Sequence, residues 1–233
     1  MKNVLIGFIL SMLAIHCKSQ NNMKIMYVYD ALCGWCYGFA PVMSQFQDKY
    51  KDRVGFEVIS GGMITGNRIG AIGEVAPYIS WAYKDVEKAT NVKFGSDFLD
   101  KTLKAGTAIF TSVPAAIALS VFKKIQPENS LAFASALQKA IYFDGIEPEN
   151  YDSYGAIATE FGLGAADFVS QMKDPRNSQE AVNDFRKSSD LGVTGFPTVF
   201  VEANGVYHKI ASGYVPFHVL ENNFLTVQKS VNE

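Results

Sequence analysis

One short unit limits what this chain can become. The run KIMYVYD (24–30) is apolar and rich in β-formers, without polar alternation, which reads as a strand buried on both faces. CYGFAPVMSQFQDKY (36–50) follows, with Phe39, Val42, Met43 and Phe46 recurring at three and four, the period of a helix with one apolar face. Pro41 stands inside that helix and is expected to kink it. VGFEVIS (54–60) then alternates as a second strand. Strand, helix and strand over this length make a βαβ unit, for which a right-handed crossover is the strong default.

From about residue 64 to 175 the helical period dominates, in PYISWAYKDVEKAT, PAAIALSVFKKI, SLAFASALQKAIYF, YDSYGAIATEFG and AADFVSQMK. Pro77 and Pro114 suit first helical turns, and Gly145 and Gly162 suit helix stops. SQEAVNDFRKSSDL reads as a further helix, with Ser178 as N-cap and Gly192 just past its end. Strands return at 197–203 and 206–212 around Asn204-Gly205, a dipeptide that favours a tight hairpin turn. VPFHVLENNFLTVQKSV closes the chain as an amphipathic helix.

The order is βαβ, a helical block, then αββα. This is an α/β chain with a mixed sheet flanked by helices and a large helical insertion. The expected boundaries are 23–63 for the first half, 64–177 for the insertion and 178–233 for the second half. At 233 residues, 48% hydrophobic and 19% charged, the chain has the material for one such domain and a substantial core. A net charge of -2 without a basic run gives no footprint for nucleic acid or an anionic surface.

The first residues differ in character. Lys2 precedes VLIGFILSMLAI, which is too short to span a bilayer and suits the apolar region of a signal peptide. Residues 1–19 are therefore set apart from the fold, and export to a periplasmic compartment is expected. Cys17 stands where a lipid-modified cysteine would, although His16 occupies a position where small residues are usual. Cleavage after Ser19 is the rival route, and initiation at Met23 would make the protein cytosolic.

Without that segment two cysteines remain, Cys33 and Cys36. One pair is no framework, and a bridge closing so short a loop stabilises little through chain entropy. The pair is thus read as chemical. Cys33 lies between a strand end and a helix start, where free N–H groups and the helix dipole favour the reactive thiolate. Cys36, one turn on, is close enough to attack a mixed disulfide formed by Cys33. Gly34 relieves crowding where an incoming sulfur approaches, and Trp35 offers an apolar face. Asp30 can cap the turn, either as a surface residue or as a group that tunes the thiols. A structural zinc site needs four ligands, and no second pair exists. His208 and His218 stand alone in a strand and a first helical turn, so no metal is expected. A thiol hydrolase would need a paired base, and nothing marks one.

GVTGFPTVF (192–200) puts a proline at the start of a strand, an allowed strand position. YDALCGWCYGF together with GVTGFPTVFV resembles the DsbA family of thiol–disulfide oxidoreductases, and within it the predicted disulfide isomerases related to FrnE. The resemblance covers nearly all of the chain after residue 23, and the element order above does not depend on it. It implies a thioredoxin fold with a helical insertion and no cofactor. Cys33 would be the exposed nucleophile, Cys36 the resolving thiol and Pro197 a cis-proline beside them. Phe196 would offer its backbone to an extended substrate, with Trp35 and Gly34 beside it. Pro41 matches the kink proline of thioredoxin-like active-site helices.

The implied partners are unfolded or cysteine-containing polypeptides and a redox partner not identified by the sequence, with a monomer as the expected state. The chain departs from the pattern at three points. The dipeptide lacks the histidine of strongly oxidising relatives, Tyr27 stands six residues before Cys33 where an acid is usual, and the distal cysteines of some FrnE-like relatives are missing. The redox poise is left open.

Trp35, Tyr37, Phe39 and Phe196 could form an apolar groove for polypeptide, or Phe39 and Phe196 could pack the core. Two other functions stay in view. Kappa-class glutathione transferases and hydroxychromene carboxylate isomerases share the fold, though they typically carry serine where Cys33 stands. A non-enzymatic polypeptide-binding domain is the other.

Overall fold

The computed structural model describes residues 23–233. The expectations for residues 1–19 and Cys17 lie outside the described residues. The first unit is β1 (Met23–Tyr29), α1 (Gly34–Tyr50) and β2 (Gly55–Ser60), with β1 and β2 parallel from Lys24–Gly55 to Tyr29–Ser60. The insertion carries β3 (Gly70–Ala71), α2 (Ala76–Thr90), β4 (Ile109–Phe110), α3 (Val113–Ile125), α4 (Ser130–Tyr142), α5 (Tyr151–Thr159) and α6 (Ala165–Met172). The chain ends with α7 (Pro175–Asp190), β5 (Thr198–Ala203), β6 (Val206–Ser212) and α8 (Phe217–Asn232). The main sheet runs β2-β1-β5-β6, and β5 lies antiparallel to both of its neighbours.

Strand β1 is central, which is why its sequence does not alternate. Ile25, Tyr27 and Tyr29 join the large core with Phe39, Met43 and Phe46 of α1, whereas Met26 and Val28 pack on the other face with Ile59 and Phe200. Both sides must be apolar when both are covered. Leu191 and Val193, just after α7, help cover the second face.

Local chemistry explains most boundaries. Pro77 and Pro114 lie in the first turns of α2 and α3, where a missing N–H costs nothing. Asn204 and Gly205 both have positive φ, 53° and 78°, as the tight turn between β5 and β6 requires. One boundary differs from expectation. Helix α7 starts at Pro175, with the Asp174 side chain accepting from the Arg176 N–H at 2.9 Å. Asp174-Pro175 supplies both a cap acceptor and a proline for the first turn, so Ser178 falls inside the helix.

The insertion also holds elements without a sequence signature. The β3–β4 pair is two residues per strand, too short to show a period. Asp97–Leu103 forms a wide helical turn of π type. No helix among the described residues is long and apolar enough to cross a membrane.

Candidate active site

The site forms where β1 hands over to α1. Asp30 and the residues after it turn the chain, and the Cys33 N–H donates to the Asp30 carbonyl at 3.1 Å. Cys33 is the N-cap of α1, and its sulfur accepts from the Cys36 backbone N–H at 3.4 Å. A free N–H donor of the first turn is thereby satisfied by the sulfur. The two cysteines are free thiols in the structure. Cys33 keeps slight exposure and Cys36 has none. Burial pushes the Cys36 thiol well up from its ordinary value, helped by its hydrogen bond and charge interaction with Cys33.

The second motif lies against the first. Phe196–Pro197 is a cis peptide, and the Cys33 thiol donates to the Phe196 carbonyl at 3.6 Å. Two sequence segments 163 residues apart therefore meet at one sulfur. Phe196 is only partly buried, and its ring lies against Gly61, where any Cβ would collide with it. Trp35 is also partly buried and stacks loosely with Tyr214, ring centroids 6.2 Å apart.

The four aromatics do not share a groove. Phe39 is fully buried in the core, and Tyr37 turns to Phe94 and Tyr142 on the insertion side. At Gly34 a Cβ would make ordinary contact with Phe94 and Val86, whereas at Gly38 it would stand 2.8 Å from Val86 and Thr90 of α2. Gly38 thus permits close packing of α1 on α2, and Gly34 leaves space open beside Cys33.

Asp30 is not a surface turn residue. It is buried, and its carboxylate accepts from the N–H groups of Leu32 and Met63 and from the Ser112 hydroxyl, at 2.9, 2.7 and 2.8 Å. Burial raises its pKa, and those donors hold it down in part. Gln138 donates to the Asp30 carbonyl at 3.3 Å, and the Tyr142 hydroxyl donates to the Leu32 carbonyl. Three insertion residues, Ser112, Gln138 and Tyr142, thereby brace the turn that presents Cys33. Nothing in their sequence neighbourhood distinguishes them, because the contacts span 82 to 110 residues.

Tyr27 faces α1 from β1, and its buried hydroxyl has no hydrogen-bond partner. Burial, then the charges of Cys36 and Cys33, push its pKa well above the ordinary tyrosine value. His208 sits in β6 and His218 in the first turn of α8, exposed, both on elements other than the cysteine helix. Among the described residues no cluster of three His, Cys, Asp or Glu could hold a metal.

A four-stranded mixed sheet, an N-capping cysteine with a second cysteine one turn on, and a cis-proline at the same sulfur define a thioredoxin-fold dithiol protein. The chain belongs to the family of the DSBA-like thioredoxin domain, whose model matches residues 24–224. Among solved structures, a candidate protein disulfide isomerase from Nitrosomonas europaea superposes with a TM-score of 0.78 at 22% identity, over 90% of this chain and 98% of that one. The cytosolic disulfide reductase DsbM from Pseudomonas aeruginosa gives 0.75 at 24% identity, over 89% and 99%. A 2-hydroxychromene-2-carboxylate isomerase gives 0.58 at 10% identity, over 90% and 94%. Comparison with curated proteins finds no match.

Proposed function

We propose that this protein exchanges disulfides with cysteine-containing polypeptides through the Cys33–Cys36 pair, in the oxidase or isomerase direction and in an exported compartment. The observation that carries the reading is the pairing of a slightly exposed sulfur, backed by an N–H donor and facing the Phe196 carbonyl, with a fully buried second sulfur. The fold alone would not carry it, because a small-molecule isomerase shares that fold.

In the oxidase direction a substrate thiolate attacks Cys33 of the Cys33–Cys36 disulfide, and Cys36 leaves with the electron pair and takes a proton. A second substrate thiolate then attacks the substrate sulfur of the mixed disulfide, forming the substrate disulfide and releasing Cys33. The protein has gained two electrons and the substrate has lost two. In isomerisation the Cys33 thiolate opens a wrong bridge. A different substrate thiolate then attacks the substrate sulfur of the mixed disulfide, closing the right bridge and releasing Cys33, or Cys36 attacks Cys33 and releases the substrate reduced. The Phe196 carbonyl beside Cys33 is the backbone acceptor for an extended substrate chain.

The test is a titration of the full chain in glutathione buffers with thiol trapping. A potential above about -200 mV supports the oxidase or isomerase direction. A value near about -270 mV would make it a reductase, the activity that the name of the Pseudomonas protein states. A pair that never forms a disulfide would end the redox reading.

A further inference from the structure

A cavity of about 260 Å³ opens beside Cys33, between the cysteine turn and α2. Cys33, Gly34 and Trp35 form one wall, and Ile79, Tyr83 and Phe94 form much of the other. None of its lining side chains is charged. The rim continues outward through Val75, just before α2, and along the first turns of the helix: Val75 and Tyr78 are 44% and 57% exposed, and Trp81 is 56% exposed beside Tyr78. Such an exposed apolar patch marks an interaction site more often than chance. Helix α2 fully buries only Val86, and Ile79 and Tyr83 on the same side are partly buried, packing on the core while lining the cavity.

We propose that this cavity is a specificity pocket that takes a large apolar side chain, aromatic above all, next to the reacting cysteine of a polypeptide. The inference rests on the polypeptide-exchange reading above and supplies its substrate class. Three features fix the occupant. Cys33 is part of the wall, so whatever fills the cavity lies next to the bond being exchanged. The volume is below the range of ordinary small-molecule pockets and suits one side chain. The lining offers no cation for the carboxylates of glutathione and no anion for its ammonium group, and unpaired charges there would be costly.

The pocket also explains Gly34. A side chain at that position would enter the cavity towards Phe94 and Val86 and narrow it. Trp35 completes the wall next to the sulfur, so the residues between the two cysteines shape the recognition site while leaving the sulfur open.

The experiment uses the oxidised full-length protein and two synthetic peptides, each with one cysteine, identical except for phenylalanine or alanine beside it. The readout is the ratio of the two exchange rates, followed by thiol trapping, with glutathione as a third thiol. The phenylalanine peptide should react about tenfold faster, since burying such a side chain is worth at least that factor. Ile79→Asp, which puts a charge in the cavity, should bring the ratio close to one. Ala82→Phe, which fills the space without charge, should do the same. A wild-type ratio near one would overturn the pocket while leaving disulfide exchange intact, as would a preference that survives in both variants. Glutathione outpacing both peptides, with that lead lost in Ile79→Asp, would assign the cavity to the small thiol and overturn it too. Exchange with neither peptide would remove the polypeptide reading itself, and this inference with it.

Discussion

Ser112, at the start of α3, donates a hydrogen bond to Asp30 at 2.8 Å, across 82 residues of chain. The helical insertion is therefore built into the cysteine turn and does not merely cover it. Asp30 collects that hydroxyl and two backbone N–H groups, and its own carbonyl holds Cys33 in place. The acid that lies nearest to the thiols is thus three residues before Cys33, on the turn, and not on the strand at the position of Tyr27.

The pH dependence of stability should carry the mark of Asp30. Burial raises its folded pKa above the ordinary 3.8. A raised carboxylate binds its proton more tightly in the folded state, so its contribution is fully present below 3.8 and is lost as pH rises through the folded value. Urea unfolding of the wild type and Asp30→Asn should show the wild type losing stability relative to the variant over that range. The opposite slope would mean that the three donors outweigh burial.

The two thiols should behave unequally. With Cys36 buried and its thiol pushed well up, iodoacetamide at about pH 8 should label Cys33 alone in the reduced folded protein. Labelling of Cys36 should appear only on unfolding. Offered a disulfide-bonded peptide, Cys36→Ser should accumulate a mixed disulfide at Cys33 and release the other half of the peptide as a thiol, and Cys33→Ser should form none; mass spectrometry reads both. Equal labelling of the two cysteines would remove the assignment of Cys33 as nucleophile.

Much of the fold was legible because its signals are local. The uninterrupted apolar run of β1, the three-four period of α1 and Asn204-Gly205 each act within a few residues. The two cysteines and Phe196-Pro197 were legible as motifs, and the structure shows where they meet. The rest is set at long range. Asp30 could be a turn residue or a tuning group on its sequence, and only Ser112, Gln138 and Tyr142 arriving from the insertion decide that it is buried. Phe39 and Trp35 look alike in the sequence and share one face of α1, both near Tyr214, yet Phe39 lies fully buried under the sheet and Trp35, at the open end of the helix, stays partly exposed beside the cavity. Gly61 has no local signal that singles it out, and its tight fit against Phe196 depends on a segment more than a hundred residues away.

Gly61→Ala should disturb the active site through Phe196. A Cβ at Gly61 would enter the space of the Phe196 ring, and the carbonyl of that residue faces the Cys33 sulfur. Overpacking of this kind costs about 1–3 kcal/mol, and peptide exchange should slow as well. Adding Phe196→Leu should recover over half of the lost stability, since the smaller side chain clears the contact. If the double variant is as unstable as the sum of the single ones, the two positions do not clash. Urea midpoints of the four proteins decide this.

Tyr27→Phe should make the reduced protein more stable. The Tyr27 hydroxyl is buried with no partner, while its ring packs at 5.6 Å from Tyr29 and 6.0 Å from Phe39. Phenylalanine keeps that packing and removes a polar group whose burial is unpaid, a gain of about 1 kcal/mol. Cys36 is the neighbour whose charge bears on the hydroxyl most after burial itself, so the alternative outcome is informative. A loss of about 1 kcal/mol would show that the hydroxyl donates to the Cys36 sulfur. Repeating the unfolding on the oxidised protein then separates the cases, because a bond to the free Cys36 sulfur changes when that sulfur is tied to Cys33, whereas an unpartnered hydroxyl costs the same in both forms.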